Sequence, residues 1–371
     1  MNDLLSSIKP TLLMGPGPSS VHPEVYEALA RPTIGHLDPY FISIMDAIKD
    51  QLKVVMGTRN RLTMPMSGTG SAGMETAFVN LVEPDDRVLI LSNGVFGKRM
   101  EDVAGRLGAR VDALEFEWGT PVVPDIVEKQ LKKGPYKLVA VVHAETSTGV
   151  ANPVHELSRL VKGTDALYLV DCVTSLGGMP VTMDDWRADA MYSGTQKCLS
   201  CPPGLSPVSF SEAALEKIKA RKSKVPNWYL DLTMIMNYWD GNTRAYHHTA
   251  PINMLYGLYA ALGCLLREGL ESSYHRHAQM HEHLVHGLEN LGLEMYVQEG
   301  FRLPMLNAVT IPERVKDEAK VRACLLKEHH IEIGAGLGPL AGKIWRIGLM
   351  GHTARPENVE RVLGALAECM E

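Results

Sequence analysis

Long apolar runs are missing from this 371-residue chain: none approaches the roughly 20 residues that a membrane-crossing helix requires, which argues against a helical membrane protein. A strong excess of one charge is missing too. With 37 basic and 43 acidic residues the formal net charge is -6, a mild acidity that gives no reason to expect nucleic acid or an anionic membrane as partner. Low-complexity tracts and internal repeats are absent, so order is expected nearly throughout and a repeat architecture is excluded. Cysteine is sparse. Cys172, Cys198, Cys201, Cys264, Cys324 and Cys369 are scattered and mostly in apolar surroundings, which reads as reduced usage and a cytoplasmic location. The first nine residues carry an acid at Asp3 and no apolar core ahead of a small-residue cleavage site, so a secretory signal is not expected. The C-terminal Glu368-Cys-Met-Glu371 is not a peroxisomal address of the Ser-Lys-Leu type.

What the chain does contain is alternation. Short apolar runs at Arg87 to Leu91, Val111 to Leu114, Leu138 to Val142, Leu167 to Val170 and Ala190 to Tyr192 predict strands. Amphipathic stretches at Met74 to Val82, Gly97 to Leu107, Pro124 to Leu131 and Val154 to Leu160 predict the helices between them. Strands this short and apolar, interleaved with helices, indicate an α/β fold with a mostly parallel sheet covered on both faces. A long helical region from Asn253 to Leu291 bends near Gly269. Strands at Asn307 to Ile311 and Trp345 to Leu349, with helices Asp317 to His330 and Arg355 to Met370, then suggest a smaller C-terminal α/β unit. The length exceeds what one core usually organises. The expected division is an N-terminal arm over 1–14, a large domain over 15–268 and a small domain over 269–371.

The chemistry concentrates in two segments. Ala166-Leu-Tyr-Leu-Val-Asp171 is a strand ending in aspartate, and Ser193-Gly-Thr-Gln-Lys197 is a small polar turn closed by lysine. Pyridoxal 5'-phosphate chemistry requires this pair: a lysine amine for the cofactor aldehyde and a carboxylate that keeps the pyridine nitrogen protonated. Upstream, Ser67-Gly-Thr-Gly-Ser-Ala-Gly73 precedes a helix, where free amides and the hydroxyls of Thr69 and Ser71 form a phosphate cradle. Its Gly68-x-Gly70-x-x-Gly73 spacing also matches a dinucleotide fingerprint, but Pro65 in the preceding strand and the presence of Lys197 do not fit that reading.

Other candidates have bland readings beside the functional ones. Phe96, in a loop after a strand, is placed to stack on a pyridine ring, although a lone Phe is more often core. His143-x-Glu145 with Cys198-x-x-Cys201 mimics a zinc deaminase pattern, but Lys197 stands where that pattern needs proline. The same Cys pair lacks the activated, accessible setting of a redox motif, and packing beside the lysine is the simpler account. His275, His277, His281, His283 and His286 share one helix, with a surface metal site set against a solvated helix face. No metal ligand set is assigned. Arg346, on a strand of the second unit, suits bidentate binding of a carboxylate, though an isolated arginine is more often structural.

Together, Gly15-Pro-Gly-Pro18, Ser67-Gly-Thr-Gly70, Glu145-Thr-Ser-Thr-Gly149, Val170-Asp-Cys-Val-Thr-Ser-Leu-Gly-Gly178, Ser193-Gly-Thr-Gln-Lys197, Pro202-Pro-Gly204, Tyr246-His-His-Thr249 and Arg346-Ile-Gly348 span nearly the whole chain. They resemble the class V, fold-type I aminotransferases dependent on pyridoxal phosphate, most closely the alanine:glyoxylate and serine:glyoxylate (serine:pyruvate) branch. The resemblance implies Lys197 as the Schiff-base lysine and proton shuttle, Asp171 as the pyridinium partner, Ser147 at the phenolic oxygen and Phe96 stacked on the ring, with Val173 beside Asp171. It implies Thr69, Gly70, Ser71 and Gln196 at the phosphate, Tyr246 and Thr249 reaching that phosphate from a neighbouring subunit of a homodimer, and Arg346 at the substrate carboxylate. The loop Ile34-Gly-His-Leu-Asp-Pro39, with Gly35 and His36, lines the substrate side in relatives. Phe96 stands where this branch often has Trp, and His36 where ureidoglycine:glyoxylate aminotransferases tend to have Gln. The implied activity is transfer of an amino group from alanine or serine to glyoxylate, with ureidoglycine as alternative donor. A cysteine desulfurase would need a reactive cysteine on a mobile loop, and Cys324 lies in a helical run. A nicotinamide dehydrogenase or a non-catalytic binding protein leaves Lys197 and Asp171 unexplained.

Overall fold

Five parallel strands carry the centre of the molecule in this computed structural model, which describes residues 4–239 and 244–370; residues 1–3 of the N-terminal arm lie outside the described residues. The seven-stranded sheet runs in the order Leu62–Ser67, Leu205–Phe210, Ala190–Tyr192, Leu167–Asp171, Leu138–Val142, Arg87–Ser92, Arg110–Glu115. Within this sheet Leu205–Phe210 alone runs opposite to the other strands, antiparallel to both Leu62–Ser67 and Ala190–Tyr192. The interior strands Leu138–Val142 and Leu167–Asp171 are buried at every position, as strands covered on both faces must be. The edge strand Arg110–Glu115 has no fully buried residue. Pro65 is accommodated because Leu62–Ser67 is the other edge strand, where a missing N–H costs no ladder bond on the outer side.

Helix boundaries follow local chemistry. In Pro39–Val55, Asp38 accepts a hydrogen bond from Tyr40 N, Pro39 occupies the first turn, and Phe41, Met45, Ile48, Leu52 and Val55 form one buried stripe. The helical region around Gly269 is two helices, Ile252–Glu268 and Leu270–Asn290, separated where Gly269 takes φ +88°. The helix expected from Met74 begins earlier, at Gly70: the glycine-rich turn is its first turn, and Thr69, at the N-cap position, accepts from Ala72 N through its carbonyl and makes no side-chain capping bond.

A second, antiparallel sheet is ordered Glu294–Met295, Leu306–Thr310, Ile344–Gly348, Gly334–Ala335. Its apolar cluster, including Leu284, Leu325, Trp345 and Leu366, also takes in Met14 from the N-terminal segment. That segment is held closely: Leu12–Leu13 pairs with Ile331–Glu332, and Gly348 N donates to Met14 O at 2.7 Å.

Two expectations are corrected. The cysteines are not all reduced: Cys324 and Cys369 form a disulfide between helices Glu318–Glu328 and Pro356–Met370. The two helices pack together and bring residues 45 apart in sequence to a Cα–Cα distance of 5.8 Å, a proximity that sequence spacing does not reveal. The histidine-rich helix is not simply solvated. His277 is fully buried, with Nδ1 on Ser273 O and Nε2 accepting from Gly351 N, and His281 Nδ1 meets Asn307 Oδ1 at 2.6 Å.

A β-carbon at Gly348 would lie 2.0 Å from Gly15 O, a backbone atom that has nowhere to retreat. Gly348→Ala is therefore expected to push the N-terminal segment off the strand and destabilise the protein by at least about 1–3 kcal/mol, seen as a lower Tm. An unchanged Tm would show that this contact is not a constraint.

Candidate active site

Sequence-distant segments meet at the carboxyl edge of the large sheet, where open α/β sheets bind ligands. They enclose a cavity of about 220 Å³ lined by Thr69, Gly70, Ser71, Met74, Phe96, Arg99, Asp171, Val173, Tyr192, Gln196 and Lys197. A larger cleft of about 760 Å³ beside helices Pro23–Leu29 and Ile252–Glu268 contains none of the sequence-predicted site residues. Convergence of chemical groups, rather than volume, therefore identifies the site.

Asp171 is the last residue of its strand, so its side chain leaves the sheet at the cavity. Its Oδ2 accepts from Tyr192 OH at 2.7 Å and its Oδ1 from Val173 N at 2.7 Å. Burial nevertheless raises its pKa to about 6, opposed by those bonds and by Lys197. Lys197 is 8% exposed and its Nζ donates to Pro16 O. Desolvation first, and then the Arg346 charge, lower its pKa to about 8. Gly17 makes this approach feasible: its φ is +101°, and a β-carbon there would lie 2.5 Å from Lys197 Nζ.

Phe96 is not in a loop. It occupies the first turn of helix Val95–Arg106, because Ser147 Oγ accepts from Val95 N at 2.9 Å and Glu145 Oε2 accepts from Phe96 N at 3.1 Å, capping the helix from another segment. Ser147 Oγ donates in turn to Glu145 Oε1 at 2.5 Å. Glu145 is fully buried, and desolvation pushes its pKa up to about 7. Arg346 is 6% exposed, with Nε on Ala335 O at 2.7 Å and Nη1 on Thr146 O at 3.2 Å. Burial lowers its pKa to about 10, against the nearby Glu145 charge, yet among the described residues it forms no ion pair with a carboxylate. Those two bonds use two of its five N–H donors.

The predicted residues do not all meet. Ser147 and Arg346 are buried but are not among the residues lining this cavity, and Gly35, His36, Tyr246 and Thr249 do not line it either. His36, Tyr246 and Thr249 form a separate cluster, in which Tyr246 is 58% exposed, stands 5.1 Å from the His36 ring and bonds Thr249 Oγ1 at 3.2 Å, while Tyr238 OH donates to His36 O. Conversely, Tyr192, Arg99, Met74, Glu145 and the Pro16-Gly17 turn were not assigned roles from sequence. Tyr192 had a usable signal, since it ends the strand that pairs with the one bearing Asp171. The Cys198-Cys201 pair is buried, with both thiols pushed up to about 12 by desolvation, which fits packing rather than redox chemistry. His143 packs edge-on to Trp186, and burial lowers its pKa to about 4.

The donor set fits pyridoxal phosphate. Thr69 stands at the N-cap position of a helix whose first amides lack intrahelical partners and makes no side-chain bond to them, and Gly70 leaves room that a β-carbon would fill to 3.2 Å from Val173. Gln196 Oε1 is buried without a hydrogen-bond partner at the same cavity. A carboxylate and a desolvated amine complete the set required by the ring nitrogen and the aldehyde.

Only the neutral amine attacks an aldehyde, so cofactor capture by the apo-protein should accelerate with pH and level off above about 8, not above the ordinary 10.5. Stopped-flow absorbance across this range checks it; a rate still climbing near pH ~10 would contradict the buried setting of Lys197.

Comparison with known proteins agrees with this geometry. Residues 21–361 match the family Aminotransferase class-V. An alanine–glyoxylate aminotransferase of Oryctolagus cuniculus is 40% identical over 97% of this chain and 92% of its own length. The (S)-ureidoglycine–glyoxylate transaminase of Bacillus subtilis is 38% identical over 95% of this chain and 89% of its own. The crystal structure of an alanine–glyoxylate aminotransferase from Nostoc sp. superposes with a TM-score of 0.96 at 44% identity, covering 100% of both chains. The chain thus has the pyridoxal phosphate fold type I and belongs to the class-V aminotransferases, enzymes that use pyridoxal 5'-phosphate to move amino groups between amino acids and 2-oxo acids.

Proposed function

We propose that this enzyme transfers the amino group of alanine or serine to glyoxylate, giving glycine and a 2-oxo acid. The observation that carries the reading is a buried arginine with unspent donors, Arg346, whose charge reaches a desolvated lysine: one recognises a substrate carboxylate and the other works at the adjacent α carbon. Similarity to relatives named for glyoxylate supports the acceptor. Bound pyridoxal phosphate supplies the electron sink for the bond broken at the α carbon and carries the amino group between the half-reactions.

The chain's own residues do the rest. With the cofactor bound, Thr69, Gly70, Ser71 and Gln196 would hold its phosphate, Phe96 would stack on its ring, and Ser147 would bond its phenolic oxygen in place of its present bond to Glu145. Asp171, ionised above about pH 6, holds the proton on the ring nitrogen. Lys197 Nζ accepts the donor's α proton, and its lowered pKa leaves about a tenth of such amines neutral at pH 7. Arg346 fixes the carboxylate so that the α C–H faces that amine.

A homodimer is part of the proposal. Tyr246 and Thr249 are supplied to the phosphate of the neighbouring subunit, and Gly35 and His36 reach its substrate, a reading supported by the exposure of Tyr246 and by its absence from its own cavity's lining. The division at 268/269 is likewise proposed, supported by the helix break at Gly269 and by two separate apolar clusters. Ureidoglycine as donor remains the second reading, favoured by the Bacillus subtilis relative.

Arg346→Ala should raise KM for both substrates on the order of 10- to 100-fold, the equivalent of one or two hydrogen bonds to a charged group, with a smaller effect on kcat. An unchanged KM would move the carboxylate site elsewhere. For the donor, the cofactor's visible band should be lost on adding L-alanine or L-serine and restored by glyoxylate. A band that responds to ureidoglycine alone would replace the donor while retaining the acceptor.

A further inference from the structure

The disulfide between Cys324 and Cys369 has a neighbour that a purely structural cross-link does not need. His329 closes helix Glu318–Glu328, and one ring nitrogen lies with the two sulfurs in a group whose atoms are all within 4.8 Å of one another. All three residues are half-buried, so the group is accessible without being open. The histidine is also fastened: its Nε2 stands 3.5 Å from Glu368 Oε2, and its carbonyl accepts from Arg361 Nη2 at 2.9 Å, both partners coming from helix Pro356–Met370. Two sulfurs and an imidazole brought together from two packed helices, with a carboxylate next to the imidazole, match the ligand types and outer support of a thiolate–imidazole zinc centre.

We propose that Cys324, Cys369 and His329 form a redox-gated site for a soft divalent cation such as Zn²⁺, closed while the disulfide stands and opened by its reduction. Reduction by a dithiol breaks the Cys324–Cys369 bond, transfers two electrons and two protons to give two thiols, and leaves the reductant as its own disulfide. Each freed sulfur then turns about its Cα–Cβ bond, and a Cα–Cα distance of 5.8 Å leaves room for a metal between them. Metal binding replaces the two thiol protons, which pass to solvent, and a water takes the fourth position. The disulfide and the metal are mutually exclusive occupants of the same two sulfurs. The cation would therefore lock the same two helices in the reduced protein that the disulfide locks in the oxidised one.

The other group of potential ligands, His22, Glu24 and Cys264, is less suited: it offers one thiol, and Glu24 is paired with Arg267 at 2.5 Å. Cys264→Ser is therefore the control. The test is titration of the holoenzyme with Co²⁺ and then Zn²⁺, as isolated with the disulfide intact and again after dithiol reduction and oxygen-free desalting. One Co²⁺ per chain, bound with release of about two protons and a near-ultraviolet sulfur-to-cobalt band and then displaced by Zn²⁺ with no further proton release, is expected in the reduced protein and in Cys264→Ser. The oxidised protein and the double variant Cys324→Ser/Cys369→Ser should lack the site, and His329→Ala should bind at least about tenfold more weakly. Absence of stoichiometric binding in the reduced wild-type protein, its persistence in the oxidised form or the double variant, or indifference to His329→Ala would each overturn the proposal. The comparison of oxidised with reduced wild type needs no substitution, so it decides even if a variant fails to fold.

Discussion

Burying two cations within electrostatic reach of each other is the constraint around which this molecule is arranged. Lys197 and Arg346 are both more than nine-tenths covered, and the pKa of each falls because of it. Isolated burial of such groups is costly unless they are hydrogen-bonded or neutralised. Here carbonyl oxygens of Pro16, Ala335 and Thr146 provide the bonds, while direct ion pairing is withheld. Nearby Glu145 and Asp171 temper the field without consuming the donors. What remains is an amine near its working pKa and a guanidinium with capacity to spare, a combination that serves binding and proton transfer better than a closed salt bridge would.

This arrangement explains features that look incidental in isolation. The N-terminal turn is packed against both the lysine and the small sheet, with Gly17 against Lys197 Nζ and Gly15 O against Gly348. A segment near the start of the chain thereby holds the lysine, encoded in the middle, and the strand bearing Arg346, encoded near the end. Glu145 performs a similar task. Its carboxylate receives the Ser147 hydroxyl and the Phe96 amide, so one buried acid aligns two residues of the site that come from different strands' ends.

Much of the fold was legible because its signals are local. The strand Leu138–Val142 and the helix Pro124–Leu131 coincide with their apolar patterns, since a strand covered on both faces and a proline-initiated helix are each written in consecutive residues. That Lys197 and Asp171 would line one cavity was legible for a different reason: few chemistries ask for that pair in that local setting. The failures are non-local. Phe96 belongs to a helix that is capped by Glu145 and Ser147, about fifty positions away, and the Cys324–Cys369 bond depends on two helices meeting. His277 looked like part of a polar face because its partners, Ser273 O and Gly351 N, are backbone groups that a sequence does not display. His36 and Tyr246 gather away from the cavity, an arrangement that the residue types alone do not announce.

The central claim is that one buried amine, Lys197, is the cofactor's covalent anchor. Borohydride reduction of the purified holoenzyme, followed by proteolysis and peptide mass mapping, tests it most directly. The account predicts a phosphopyridoxyl mass on the peptide containing Lys197, at close to one per chain and nowhere else in comparable yield. Modification centred on any other lysine, with Lys197 unmodified, would contradict it.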